Sequence, residues 1–141
     1  MKSELYLVDS SAWIEFLRPK GSMRIREHVT SLVLNDQALI TAIIKAEVLQ
    51  GAKSEKEYED LERRLRAVRY CAFDETLWTG VFRTGFQMRR KGFSTPVTDV
   101  MIAVLAQSQD AIVVHADKHF DELSSVTGLK VTSYVASVGK R

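Results

Sequence analysis

Val97-Thr-Asp-Val-Met-Ile-Ala-Val-Leu-Ala-Gln-Ser-Gln-Asp-Ala-Ile-Val-Val-His-Ala-Asp117 reads as two elements in tandem. Thr98 to Gln109 has helical character; Ala111 to His115, with only Asp110 between, is a β-branched run of strand length. A helix that feeds straight into a strand is half of a βαβ crossover. Working outward, further strand-length runs occur at Leu5 to Val8, Ala38 to Thr41, Arg69 to Phe73 and Lys130 to Tyr134. Helical segments separate them: a short one near Ser11, then Ile25 to Leu34, Ala42 to Leu49, Ser54 to Ala67 and Glu75 to Lys91. Ser54 with Glu57 forms a capping box and Gly51 breaks the preceding helix, so the third and fourth helices are expected as a hairpin. The alternation predicts a mainly parallel sheet covered on both faces, a three-layer α/β/α sandwich.

The 141 residues fit one domain, expected over residues 1–141, with enough chain to bury a core without disulfides. No Gly, Pro or Ser-rich linker and no repeat interrupts it, and Pro19 and Pro96 fall at expected element boundaries. Cys71 is the sole cysteine, in an apolar-aromatic run between Tyr70 and Phe73, which rules out an internal disulfide and predicts a core thiol. The N-terminal apolar run is too short for a signal-peptide core, and Val100 to Ala106 is far too short to cross a bilayer, so a cytoplasmic location is expected. A net charge of +2 averages 20 basic against 18 acidic side chains and says little about partners.

In an open parallel sheet, ligands bind beyond the carboxyl ends of the strands. Asp9 ends the first strand and Asp117 follows the fourth, which puts both on one rim. Asp99 opens a helix, and Glu47 lies among Ile43, Ile44, Ala46 and Val48, on or beside a buried face. Each has a plainer reading: Asp9 as a helix cap, Asp99 as an answer to the helix dipole, Glu47 as a solvated helical acid, Asp117 as a turn residue. Together, four carboxylates at one rim would repel one another unless a hard divalent cation neutralised them.

Four blocks hold these acids: Leu-Val-Asp9-Ser-Ser-Ala-Trp-Ile-Glu-Phe-Leu, Ile-Ile-Lys-Ala-Glu47-Val-Leu-Gln-Gly, Asp99-Val-Met-Ile-Ala-Val-Leu-Ala and Val-His-Ala-Asp117-Lys-His-Phe. In order and separation they resemble the signature segments of the VapC-like toxins of the PIN-domain family, over nearly the whole chain. The resemblance implies a PIN fold and a magnesium- or manganese-dependent endoribonuclease, the toxin half of a toxin–antitoxin pair. It also implies Asp9, Glu47, Asp99 and Asp117 as the acidic site and metal ligands, with Ser11 in support. Glu47 stays open between ligand and general base, and the Ser11 hydroxyl between metal support and helix cap. The implied partners are an RNA substrate of the transfer or ribosomal class, a VapB-like antitoxin and a second copy of the chain. Oxygen ligands suit magnesium or manganese, and the lack of a His-Cys cluster argues against zinc.

Other residues have ordinary roles that suffice. His115 is expected in structural use, and His28 and His119 fall outside the expected site. Arg89, Arg90 and Lys91 before Gly92 suit a helix end, with contact to RNA phosphates as the functional alternative. Arg63, Arg64, Arg66 and Arg69 are spread around a helix and diluted by glutamates. Trp13, Ile14, Phe16 and Leu17 read first as core and second as an interface for antitoxin or second copy. A non-enzymatic alternative is a receiver-like signalling module, which fits less well because Asp9 is followed by Ser-Ser rather than by a further acid. A PIN scaffold that binds RNA or protein without cutting is another.

Overall fold

The structure is a computed structural model, and it describes residues 3–138. Five parallel strands form one sheet in the order β3-β2-β1-β4-β5: β1 Tyr6–Val8, β2 Ala38–Ile40, β3 Arg69–Tyr70, β4 Ile112–His115 and β5 Val131–Ser133. Seven α-helices flank it among the described residues: α1 Ser10–Leu17, α2 Met23–Leu34, α3 Ala42–Gln50, α4 Glu55–Arg66, α5 Trp78–Arg90, α6 Val97–Ser108 and α7 Lys118–Thr127. The chain runs outward from β1 through β2 to β3, then returns to the other side of β1 as β4 and β5. Right-handed crossovers therefore put α1 to α4 on one face and α5 to α7 on the other. The expected three-layer sandwich is the observed one.

Covering both faces explains the composition of the strands. Every residue of β2 is buried, as are Leu7 and Val8 of β1 and Val113 to His115 of β4. Strands dry on both sides need unbroken apolar runs, and each buried Val or Leu side chain contributes about 1.5–3 kcal/mol. The edge strands β3 and β5 are short and more exposed. Arg69 to Phe73 keeps only Arg69 and Tyr70 in the ladder, because its partner β2 ends at Ile40, whose carbonyl accepts the Cys71 N–H at 2.8 Å. Cys71 is half-buried against the core and free.

Local signals held in most places. The Ser54 hydroxyl caps α4 by accepting the Glu57 N–H at 3.1 Å, but the Glu57 carboxylate returns to the Lys53 N–H at 3.3 Å. The capping box is thus displaced by one residue. Lys45 on α3 pairs with Glu62 on α4 at 3.0 Å and ties the hairpin together. Gly92 has φ +91°; the Gly92 N–H donates to the Arg89 carbonyl and the Phe93 N–H to the Met88 carbonyl, a Schellman ending that a side-chain-bearing residue would strain. The segment Glu75 to Lys91 divides into a 3-10 turn at Glu75–Leu77 and α5.

One element was not anticipated. Asp117 is no simple turn residue: it is the N-cap of α7, its side chain accepting the His119 N–H at 3.0 Å. The apolar pattern of α7 is sparse, with only Phe120 and Leu123 buried, so its periodicity is weak in the sequence.

Candidate active site

The topology sets the position of the site. β1 and β4 are neighbours, yet the chain leaves them in opposite directions, so a crevice opens beyond their carboxyl ends. Asp9 follows β1 and Asp117 follows β4, one on each side of that crevice. Register is fixed by the Asp9 N–H donating to the Val114 carbonyl at 2.9 Å.

Asp9 is almost fully enclosed, 3% exposed. Its Oδ2 accepts the Ser11 N–H at 3.0 Å and the Ser11 hydroxyl at 2.6 Å, while Oδ1 is buried with no hydrogen-bond partner. The cap reading and the site reading therefore apply to different oxygens of one carboxylate. The Ser11 Oγ also accepts the Ala116 N–H at 2.9 Å, so one hydroxyl clamps the β1–α1 turn to the end of β4. Burial drives the Asp9 carboxyl up to about 6 from its ordinary 3.8; Glu47 adds to the rise and the Ser11 hydrogen bonds oppose it.

Asp99 lies in the first turn of α6, buried. Burial again raises it, to about 7, and the negative charges of Asp9, Asp117 and Glu47 each push in the same direction, with His119 opposing. The other three expected acids are thus close enough to act on the Asp99 carboxyl. Glu47, half-buried on α3, accepts a hydrogen bond from the Ser10 hydroxyl at 3.2 Å.

The histidines part company. His115 is fully buried, packs against the Phe120 ring at 5.2 Å, accepts the Asp117 N–H through Nδ1 and has Nε2 at 3.2 Å from Asp121. Burial lowers its pKa, in keeping with structural use. His28 pairs with the Tyr134 hydroxyl at 2.7 Å. His119, by contrast, lies among the acids: its Nδ1 is 3.2 Å from Asp99 Oδ2 and 3.1 Å from Asp117 Oδ1. The sequence reading left His119 outside the expected site, and the structure brings it against two of the four acids. The Asp117 cap accepts the N–H of His119, which sets that residue beside the carboxylate; an Asp N-cap with a histidine two residues on was the available signal.

No Lys or Arg lies within ion-pair distance of Asp9, Glu47, Asp99 or Asp117 among the described residues. A buried, unpartnered carboxylate oxygen beside three more acids suits a hard divalent cation, so the donor set fits one. Asp99, Asp117 and His119 each offer a ligand atom, all within 4.8 Å of one another.

Beside the acids runs an open groove of about 640 Å³ between the end of α1 and the α3–α4 hairpin. Glu47 lies on its wall, with apolar Ile14, Leu17, Val48 and Leu61 and basic Arg18 and Arg64. Trp13 is buried and Phe16 and Leu17 pack on the core, leaving Ile14 as the exposed member of that helix's apolar set. Larger exposed apolar groups lie elsewhere, at Phe82 and Phe86 on α5 and Val97 on α6. No described helix is long and apolar enough to cross a membrane.

Comparison with known proteins agrees with this fold. The PIN domain family matches residues 6–126. Ribonuclease VapC11 of Mycobacterium tuberculosis is 31% identical over 137 residues, covering 92% of this chain and 99% of that protein. Among solved structures, FitAB bound to an IR36 DNA fragment superposes with a TM-score of 0.77 at 24% identity, covering 92% of this chain and 94% of that one. VapBC2 from Rickettsia felis, bound to a DNA fragment from its promoter, gives 0.76 at 18% identity, covering 92% and 98%. At such identities these two speak for the fold, and the family and the relative speak for descent: the chain belongs to the PIN-domain family and, within it, to the VapC ribonucleases.

Proposed function

We propose that the chain is a magnesium- or manganese-dependent endoribonuclease, the toxin of a VapBC-type pair, with Asp9, Glu47, Asp99 and Asp117 as its acidic site. The observation that carries this reading is Asp99, a carboxyl raised first by burial and then by three neighbouring acids with no Lys or Arg within ion-pair distance to balance them among the described residues. Such a cluster repels an RNA phosphate by itself, and a bound divalent cation would supply the charge that admits the phosphate and acidifies an attacking water. Asp9, Asp99 and Asp117 would hold the ion. Ser11 would keep Asp9 oriented by fixing Oδ2, so that Oδ1 is the free donor. Glu47, held by Ser10, would ligate or take a proton from the attacking water.

The substrate in this reading is RNA of the transfer or ribosomal class, drawn toward the site by Arg89, Arg90 and Lys91 at the end of α5. The antitoxin would lay an extended segment in the α1–α3–α4 groove, where apolar walls anchor it and Glu47 is within reach of a basic side chain. VapBC2 of Rickettsia felis, a toxin–antitoxin assembly on this fold, supports the pairing. Exposed Phe82, Phe86 and Val97 support a homodimer. One domain, working in the cytoplasm, completes the proposal.

The deciding experiment is cleavage of a transfer RNA and a ribosomal RNA hairpin by the purified chain in magnesium, manganese and excess chelator. Cutting that requires the metal and stops when cognate antitoxin is added is the expected result. Cutting that persists in chelator would sink the metal-dependent reading, and tight antitoxin binding without inhibition would sink groove occlusion.

A further inference from the structure

The acidic cluster has a nitrogen in it. His119 is the second residue of α7, and its Nδ1 lies at near-equal distance from Asp99 Oδ2 and Asp117 Oδ1, two carboxylates brought in by different helices. That nitrogen is buried and in well-formed hydrogen-bond geometry with neither oxygen. Close approach without a directed hydrogen bond leaves the nitrogen lone pair and both carboxylate oxygens free to face one shared centre. A second buried orphan, Asp9 Oδ1, belongs to the same cluster, since Asp9 is the strongest charge acting on Asp99.

We propose that His119 Nδ1 is a direct ligand of the divalent cation, in a mixed set with Asp99 and Asp117, and that this nitrogen makes the site prefer manganese to magnesium. The inference rests on the metal-dependent reading above and goes beyond it by adding a ligand and a selectivity. Magnesium is hard and holds oxygen and water, whereas manganese, a first-row transition ion, also accepts an imidazole nitrogen, though less avidly than iron or zinc does, so one nitrogen tilts an otherwise indifferent carboxylate site away from magnesium. A mixed nitrogen and oxygen set also removes the ground for excluding zinc, which the sequence argued from the lack of a His-Cys cluster.

The test is pulsed electron paramagnetic resonance on the full chain loaded with manganese, with calorimetric titration of manganese and magnesium. Wild type should show nitrogen hyperfine coupling to the manganese, and the coupling should change in the expected isotopic ratio when histidine is supplied as the 15N form. Because that labelling uses the unaltered protein, it stands even if a variant folds poorly. His119→Gln should lose the coupling and weaken manganese binding by at least about tenfold, the lower end of what loss of even an outer partner costs a metal site, with magnesium binding changed far less. His28→Gln should keep both. Saturable manganese binding with no nitrogen coupling, and an unaltered manganese-to-magnesium ratio in His119→Gln, would overturn the proposal while leaving the metal reading intact. Failure of wild type to bind manganese at all would overturn both.

Discussion

The rim beyond β1 and β4 and the surface helix α4 are both dense in acids, and they are electrostatic opposites. On α4, Glu62 receives Lys45 at 3.0 Å and Arg66 at 2.9 Å, Asp60 receives Arg63 at 3.3 Å, and Glu57 closes a helix cap. The hydrogen bond from Lys45 holds the Glu62 carboxyl below its usual range. At the rim, burial and mutual repulsion hold Asp9 and Asp99 above theirs, and among the described residues the basic group within ion-pair distance of the four acids is His119, against Asp99 and Asp117. Acid density therefore marks nothing by itself. A functional carboxylate cluster is recognised by burial together with the absence of Lys and Arg, an arrangement that is unfavourable until a cation is added.

The comparison breaks most visibly in activity. Asp9→Asn or Asp99→Asn should lower RNA cleavage by orders of magnitude, while Glu62→Gln and Asp60→Asn leave it near wild type, as read from initial rates on one RNA under saturating manganese. Comparable losses in all four variants would mean that rim and surface helix do not differ functionally and that the site is misassigned.

Stability against pH sharpens the same contrast. In the unfolded chain Asp9 and Asp99 ionise near 3.8, but in the fold only near 6 and 7. Between these values the folded state holds protons that the unfolded state has released, so the metal-free chain should lose stability as pH rises from about 4 through about 7, then level off. Each unit of upward displacement is worth about 1.4 kcal/mol of differential stability. Asp99→Asn should flatten that slope and, above pH 7 without metal, melt no lower than wild type. Manganese at about 100 times its dissociation constant should return roughly 2.7 kcal/mol to wild type and much less to the variant. Denaturant melts across pH, with and without manganese, measure all of this. A wild type clearly more stable than metal-free Asp99→Asn above pH 7 would make Asp99 an ordinary helix-start residue.

The smallest effect is expected on α4. Asp60→Asn removes an exposed i,i+3 ion pair with Arg63 and should cost less than about 1 kcal/mol, shrinking further in salt. A loss of several kcal/mol in the same denaturant melts would show that the surface pairs bear on the fold after all.

Much of this molecule was readable from short-range pattern. The β-branched runs at 5–8, 38–41 and 111–115 became central strands because dry strands need continuous apolar residues. Arg89-Arg90-Lys91-Gly92 ended a helix because the left-handed turn there suits glycine. The four acids could be picked out from their places at strand and helix ends and from the resemblance that their blocks carry. α7 was harder to see, because a helix that buries only Phe120 and Leu123 leaves little periodicity behind.

What the tertiary structure decided is how side chains far apart in sequence meet. The cap from Ser11 to one oxygen of Asp9 is local, but burial of the other oxygen without a partner, and the clamp from Ser11 to Ala116, 105 residues away, come only with the assembled fold. That His119 lies between Asp99 and Asp117 depends on how α6 and α7 dock over the same end of the sheet. Sequence fixes torsional preference and periodicity residue by residue, and these act over a few positions. Distances of about 3 Å between side chains on separate elements follow from crossover handedness and packing of the whole core, and on those distances the charge and protonation of the site, and the metal binding proposed for it, depend.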